Sequence, residues 1–240
     1  MLIIIPARSG SKRVKNKNMK LLNGIPLLGH KIRSCLKTGL GEVIVSTDSL
    51  SISKFAKKMG AKVPFIRSKK YSASTSTMMS CVLYTLKKLK DMDFKLPKYT
   101  AVLPPTAPFL KTESISKIYN KIRLNKIYNS ICTYTVSSEH PFLYINPKRR
   151  IEYNILEFKG NKLTDFERSQ DWPKSFIHCN AMQVSKTSYY EKFLKKFSPR
   201  IKNFDYDINS CLGYQIDKIE AFDINTNFDF RLAKLITKIK

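Results

Sequence analysis

The sequence is short of acid and of the signatures that most readily name a site. Asp and Glu number 18 against 44 Lys and Arg, a formal net charge of +26. No stretch approaches the ~20 consecutive apolar residues of a membrane span. The opening apolar run, Leu2 to Ile5, is shorter than the ~7–15-residue core of a secretory leader, and no basic segment precedes it. The expectation is a cytoplasmic protein with no membrane span. Cys35, Cys81, Cys132, Cys179 and Cys211 are odd in number and widely spaced, without a CxxC. That argues against a disulfide framework or a zinc site and for buried, reduced thiols. His30, His140 and His178 have no metal-ligand spacing. The Walker pattern GxxxxGK[ST] and the dinucleotide pattern GxGxxG are both absent, and there is no internal repeat or low-complexity tract.

The positive charge is itself weak information. It is mostly Lys and runs along the whole chain, as at Lys57-Lys58, Lys87-Lys88 and Lys195-Lys196. A dedicated nucleic-acid binder concentrates its charge and interleaves stacking aromatics. Attraction to anions follows, and a specific nucleic-acid partner does not.

The chain has 240 residues, 42% of them hydrophobic, enough for one large α/β core. Leu2–Ile5 reads as a strand buried on both faces, and Pro26–Lys37 as a helix stopped by Gly39. Strands are expected at Glu42–Asp48, Ala61–Ile66, Tyr99–Pro105 and from Asn129 to Val136, with a last one at Lys218–Asn225. Helices are expected at Ser49–Gly60, Thr75–Lys90, Thr112 to about Arg123, and from Thr226 to the end, where Asp229 stands at the capping-box position. This alternation predicts a doubly wound α/β fold with a mixed sheet. After Val136 the texture changes to short strands with turns at Asn146-Pro147 and Gly160-Asn161, as in a hairpin or arm.

The segment Ile3–Asn18, "IIIPARSGSKRVKNKN", follows the first strand and precedes a helix. Ligands of open α/β sheets sit beyond the carboxyl ends of strands. Gly10 permits close backbone approach, Ser9 and Ser11 offer donors, and Arg8, Lys12 and Lys17 offer charge for oxyanions. Charge alone fits a solvated surface turn equally well; the position favours an anion loop.

The pattern AR-x-x-SK-x-x-x-x-KN followed by "LNGIPLLGHKI" resembles the opening of the acylneuraminate cytidylyltransferases, which activate sialic acids and related nonulosonic acids as CMP-sugars. "VSTD", "LPPTAPFL", "RSQDWP" and "FDINTNFDFRLAKL" follow in the family's order, so the resemblance spans nearly the whole chain. It implies a three-layer, Rossmann-like, glycosyltransferase-A-like α/β nucleotidyltransferase domain over residues 1–240, with a mostly parallel mixed sheet and a small β-rich dimerisation arm at about 139–166. It also implies a homodimer.

The implied reaction is attack by the sugar's anomeric hydroxyl on the α-phosphate of CTP, with release of pyrophosphate. By resemblance, Arg8, Lys12 and Lys17 hold the triphosphate, Gly10 lets backbone come close, and Asn18 contacts the nucleotide. Arg67, Thr75, Thr77 and Thr106 fall in segments that bind the cytidine part; Thr75 and Thr77 also suit helix capping. Arg168 is the candidate to grip the sugar carboxylate and act in catalysis, with Gln170 and Asn180 as further sugar contacts. Asp223 and Asn225 match the paired metal ligands, so Mg²⁺ is the implied cofactor. Several positions depart from the family. Pro104 replaces a Gln that reads cytosine, Leu110 an Arg, Ser74 an Asp, and Asn225 an Asp. Ser169 replaces an Arg, and the resulting R-[ST]-Q-D form resembles the pseudaminic acid branch. A diverged nucleotidyltransferase for another sugar and a weakly catalytic nucleotide- or RNA-binding relative are the alternatives.

Overall fold

The computed structural model describes residues 1–11, 13–146, 152–153 and 157–239. Strands β1 (Leu2–Pro6), β2 (Glu42–Ser46), β3 (Tyr99–Val102), β4 (Ser130–Val136), β5 (Phe176–Lys186) and β6 (Cys211–Gln215) form one sheet in the order β6-β4-β5-β3-β1-β2. Neighbours are parallel except around β5, which is antiparallel to both β3 and β4. The helices are α1 (Leu27–Lys37), α2 (Leu50–Lys58), α3 (Met78–Lys90), α4 (Thr112–Leu124), α5 (Thr187–Glu191) and α6 (Asn227–Ile239).

The unbroken apolar run of β1 is explained by helices on both faces. Ile3 and Ile5 pack into one core with Leu28 and Ile32 of α1 and Ile115 and Ile118 of α4. Leu2 and Ile4 pack into a second core with Val82 and Leu86 of α3 and Tyr190 of α5. The result is the three-layer α/β architecture that the alternation predicts.

Helix starts follow their caps. The Ser49 hydroxyl accepts from the Ile52 N–H at 3.3 Å, and the Thr77 hydroxyl from the Ser80 N–H at 3.2 Å. Thr77 therefore sets the start of α3, three residues beyond the predicted Thr75. At α6 the capping box is complete: Asp229 N donates to Thr226 Oγ1 at 3.1 Å, and Thr226 N to Asp229 Oδ2 at 2.7 Å.

Two predicted strands are not formed. Ala61–Ile66 contributes one ladder step, a bridge from Lys62 to Ile44, and then meets Pro64, which cannot donate to a ladder. Lys218–Asn225 has no partner strand and folds as turns, with Ile219 N donating to Asp217 Oδ1 at 2.8 Å. Its apolar residues serve packing instead: Ile224 is fully buried beside Leu22, Phe109 and Phe230.

After Val136, Ile145–Asn146 pairs with Glu152–Tyr153, and Glu157–Phe158 with Asn161–Lys162. Residues 147–151 and 154–156 of the predicted arm lie outside the described residues. Among the described residues no helix is long and apolar enough to cross a membrane. All five cysteines are free; Cys35, Cys81 and Cys179 are buried as expected, whereas Cys132 and Cys211 are half-buried.

Candidate active site

The basic loop leaves β1 at Pro6 and is pinned to the end of the neighbouring parallel strand. Ser9 donates to Asp48 twice, from N at 2.8 Å and from Oγ at 3.0 Å. Arg8 is half-buried, and its Nη1 donates to Ala73 O at 3.0 Å across the mouth of a cleft. Asn18 is buried, and its amide nitrogen donates to Arg8 O at 2.8 Å, holding the loop's entry. Lys17 is half-buried and donates from Nζ to Ile224 O at 2.7 Å. Burial holds the Lys17 ammonium below its usual pKa, with Asp223 pulling the other way. Gly10 stands at the exposed tip, where a Cβ would meet only open space, and it does not line the cleft. Lys12 lies outside the described residues.

The cleft has a volume of about 450 Å³ and opens beyond the carboxyl ends of β1 and β3. Arg8, Arg13, Lys17 and Arg67 all line it, and no Asp or Glu is among the described lining residues. Arg67 is 3% exposed, yet its guanidinium finds only neutral partners. Its Nε donates to Ser72 Oγ at 2.9 Å, and its Nη1 faces Ser46 Oγ and the Cys81 sulfur. A buried cation without a counter-ion among the described residues, on the wall of an open cleft, has the chemistry to receive an anionic or carbonyl-rich ligand.

Thr77 and Thr106 line the cleft as expected. Thr75 does not: it is exposed, and Ser72, Ser74 and Ser76 present that segment instead. Pro104 and Pro105 form part of the wall, so no side-chain amide faces a base there.

Asp223 and Asn225 do come together, by a route other than strand alternation. They sit in the turn before α6, where Asn225 Nδ2 donates to Asp223 Oδ2 at 2.9 Å. Asp229 holds the turn by accepting from the N–H groups of Asn225, at 2.8 Å, and Thr226. Although partial burial works against it, these donors keep the Asp229 carboxyl below the usual carboxylate range. Asp223 Oδ1 is buried without a hydrogen-bond partner among the described residues.

The sugar candidates are not gathered with the rest. Arg168 is exposed and closes a fork onto Asp171, at 2.9 Å from Nε and 3.3 Å from Nη2. Gln170 and Asn180 are exposed, and neither lines the cleft.

A family model described as cytidylyltransferase matches residues 2–231. The chain belongs to the cytidylyltransferase family. This cytidylyltransferase is 41% identical over 243 residues to the CMP-N,N'-diacetyllegionaminic acid synthase of Legionella pneumophila, covering 100% of this chain and 97% of that one. It is 29% identical over 244 residues to the pseudaminic acid cytidylyltransferase of Campylobacter jejuni, covering 99% and 96%. Among solved structures its fold matches CMP:2-keto-3-deoxy-manno-octonic acid synthetase complexed with CTP. That match has a TM-score of 0.68 at 14% identity and covers 100% of this chain and 99% of the other. The cytidylyltransferase is thus a nucleotidyltransferase on a Rossmann-like, mostly parallel sheet, as the resemblance in its sequence implied.

Sequence reasoning missed Arg13 and Tyr71 of the cleft wall, and the buried charges of Lys31 and Glu220; Ser11, singled out as a donor, does line the cleft. Lys31 carried a signal: it stands four residues after Leu27 and four before Cys35, on the apolar stripe of α1.

Proposed function

We propose that this enzyme transfers CMP from CTP to the anomeric hydroxyl of a nonulosonic acid, releasing pyrophosphate. The observation that carries the reading is the cleft itself, with four cationic side chains and no acid among its described lining residues. The sugar oxygen attacks the α-phosphorus, the bond to the bridging oxygen of the β-phosphate breaks, and the hydroxyl proton leaves to solvent. The protein's part is positioning and charge neutralisation. Arg8 and Lys17 hold the triphosphate, and Lys12 joins them in this proposal. Asn18 sets Arg8, while Arg67, Thr77 and Thr106 take the cytidine part.

We further propose Mg²⁺ as the cofactor. Asp223 offers a buried carboxylate oxygen with no hydrogen bond. The Asn225 amide turns its nitrogen to Asp223, leaving its oxygen available. Two hard oxygens, completed by water and phosphate, suit a magnesium ion. Bound there, it would neutralise charge on the phosphates.

Two kinds of likeness bear on the sugar: the 41% identical relative is named for N,N'-diacetyllegionaminic acid, and the 29% identical one for pseudaminic acid. We take the legionaminic compound as the leading acceptor. Arg168, with Gln170 and Asn180, is assigned to the sugar. Because these residues stand apart from the cleft, the proposal pairs them with a homodimer. Leu143, Tyr144, Ile145, Phe176 and Ile177, at the arm and the start of β5, are 43–49% exposed, and we propose that such a dimer covers apolar side chains of this region. Use of CTP and five unpaired thiols suit the cytoplasm.

The test is pyrophosphate release from CTP and Mg²⁺ with a panel of legionaminic, pseudaminic and N-acetylneuraminic acids. Turnover greatest with the legionaminic compound is expected. CTP binding with no turnover on any nonulosonic acid would sink the reading, and salt-sensitive RNA binding without a CTP effect would favour a nucleic-acid role.

A further inference from the structure

Among the described residues two cations are buried almost completely, and only one of these two faces the cleft. Arg67 lines it; Lys31 is 0% exposed and does not. A buried ammonium is costly unless it is hydrogen-bonded and balanced, so its surroundings show what it is for.

Lys31 reaches from α1 into the junction between the Pro104–Phe109 turn and the segment before α6. Its Nζ donates to Ala107 O at 2.7 Å. The preceding carbonyl, Thr106 O, accepts from Ile224 N at 2.9 Å. The carbonyl of Ile224 accepts from Lys17 Nζ at 2.7 Å. Two ammonium groups therefore bracket one run of main chain, Lys17 on the cleft side and Lys31 on the core side. Between them lie Thr106, which lines the cleft, and Ile224, which separates Asp223 from Asn225.

The charges fit this arrangement. Glu220 and Asp223 are the carboxylates whose fields act on Lys31. Glu220 is 4% exposed; one oxygen pairs with Lys111 at 3.4 Å, and the other has no hydrogen bond among the described residues. Lys31 is the buried cation that offsets these acids from within.

We propose that Lys31 is a positioning residue for CMP transfer: from inside the core it fixes the Thr106–Ala107 turn, and through it the Asp223–Asn225 segment, in one geometry. The proposal rests on the reading of the cleft as the CTP site. It assigns Lys31 more than charge balance, because its hydrogen bond holds a carbonyl adjoining the cleft wall.

The experiment separates balance from positioning. Lys31→Met alone removes the buried cation on the core side of Glu220 and Asp223, leaving Lys111 and Lys17 as their remaining cations among the described residues, and a lowered Tm is expected. Lys31→Met/Glu220→Gln removes one charge of each sign, and Tm should return close to that of the parent. In this double variant kcat should stay down by roughly tenfold or more while the KM for CTP changes little. Amide exchange should quicken in peptides spanning 104–110 and 220–226 and stay unchanged in α2. Glu220→Gln by itself, which keeps Lys31 and its hydrogen bond, should show parental kcat and exchange. A double variant with parental kcat and parental exchange overturns the proposal. So does a Glu220→Gln variant as slow as the double, since the acid would then be the positioning group. If the double variant fails to fold, Lys31→Leu/Glu220→Gln, which also lacks a donor to Ala107 O, carries the same readings. Calorimetric binding of CTP to the parent checks the cleft separately: its failure removes the CTP reading, while the exchange data still decide whether Lys31 holds the two segments.

Discussion

The ammonium of Lys17 donates to the main-chain carbonyl of Ile224 at 2.7 Å, joining positions 207 residues apart. One side chain thus supplies charge to the cleft and ties the segment bearing Asp223 and Asn225 to the basic loop. Lys17→Met should lower kcat/KM for CTP by roughly a hundredfold, the scale seen when one preorganised donor to a reacting oxyanion is lost. Arg8→Ala should cost a similar factor. Pyrophosphate release at varied CTP reads both, and unchanged kinetics in either variant would show that the triphosphate lies elsewhere.

Asn225→Asp replaces the neutral oxygen proposed to face the metal with a charged one. Without a cation, the new carboxylate loses its donation to Asp223 and repels it, so the variant should melt lower. With magnesium the order should reverse, and the half-saturating concentration should fall several-fold. Thermal melts against added Mg²⁺ test this without recourse to activity. Equal magnesium dependence in the two proteins would move the metal away from this turn.

Arg168 presents a planar fork, already shown by its two contacts with Asp171. A sugar carboxylate would compete for that fork. Arg168→Lys keeps the charge and loses the geometry, so the KM for the sugar should rise by about tenfold or more with CTP binding unaffected. A matching loss of CTP affinity would place Arg168 at the nucleotide instead.

Burial pushes the Asp205 carboxyl up to about 6, more than the opposing backbone hydrogen bond and His178 can offset. A raised carboxyl binds more protons in the folded state than in the unfolded one between about 4 and 6, so its contribution is favourable at low pH and is lost as pH rises through that window. Asp205→Asn should therefore be more stable than the parent at about pH 7.5. The residue is half-buried, so solvent tempers the gain to about 1–2 kcal/mol. The advantage should vanish below about pH 4 in urea melts. The same advantage at both pH values would mean that ionisation is not its source.

The sheet's parallel half was legible because Leu2–Ile5, Glu42–Ser46 and Tyr99–Val102 carry unbroken buried runs between capped helices. In the other half β4 was legible as the run from Asn129 to Val136, but β5 and β6 were not. β5 contains a register shift between Cys179 and Gln183, which breaks the period of two. β6 contains Gly213, a poor strand residue whose absent side chain makes room for the Tyr134 ring, 2.8 Å from where a Cβ would stand. At the site, loop residues that follow strands were readable by type and position. Lys31 was not, since a lysine in a chain this basic reads as surface until its helix is seen to face inward. Thr75 does not line the cleft, and a run of alternating Ser and Thr does not say which hydroxyls turn toward it.

The contact between positions 17 and 224 has a consequence for how the enzyme is made. The basic loop leaves the ribosome well before its tether, which follows 207 residues later. At roughly 5–20 residues per second, the loop waits on the order of 10–40 seconds for Ile224. By the end of that interval the nascent chain has all the strands of its sheet and an open, cationic loop still without its closing strap. The cleft is therefore completed late, so a chain truncated before Ile224 carries Arg8 and Lys17 yet lacks the assembled cleft.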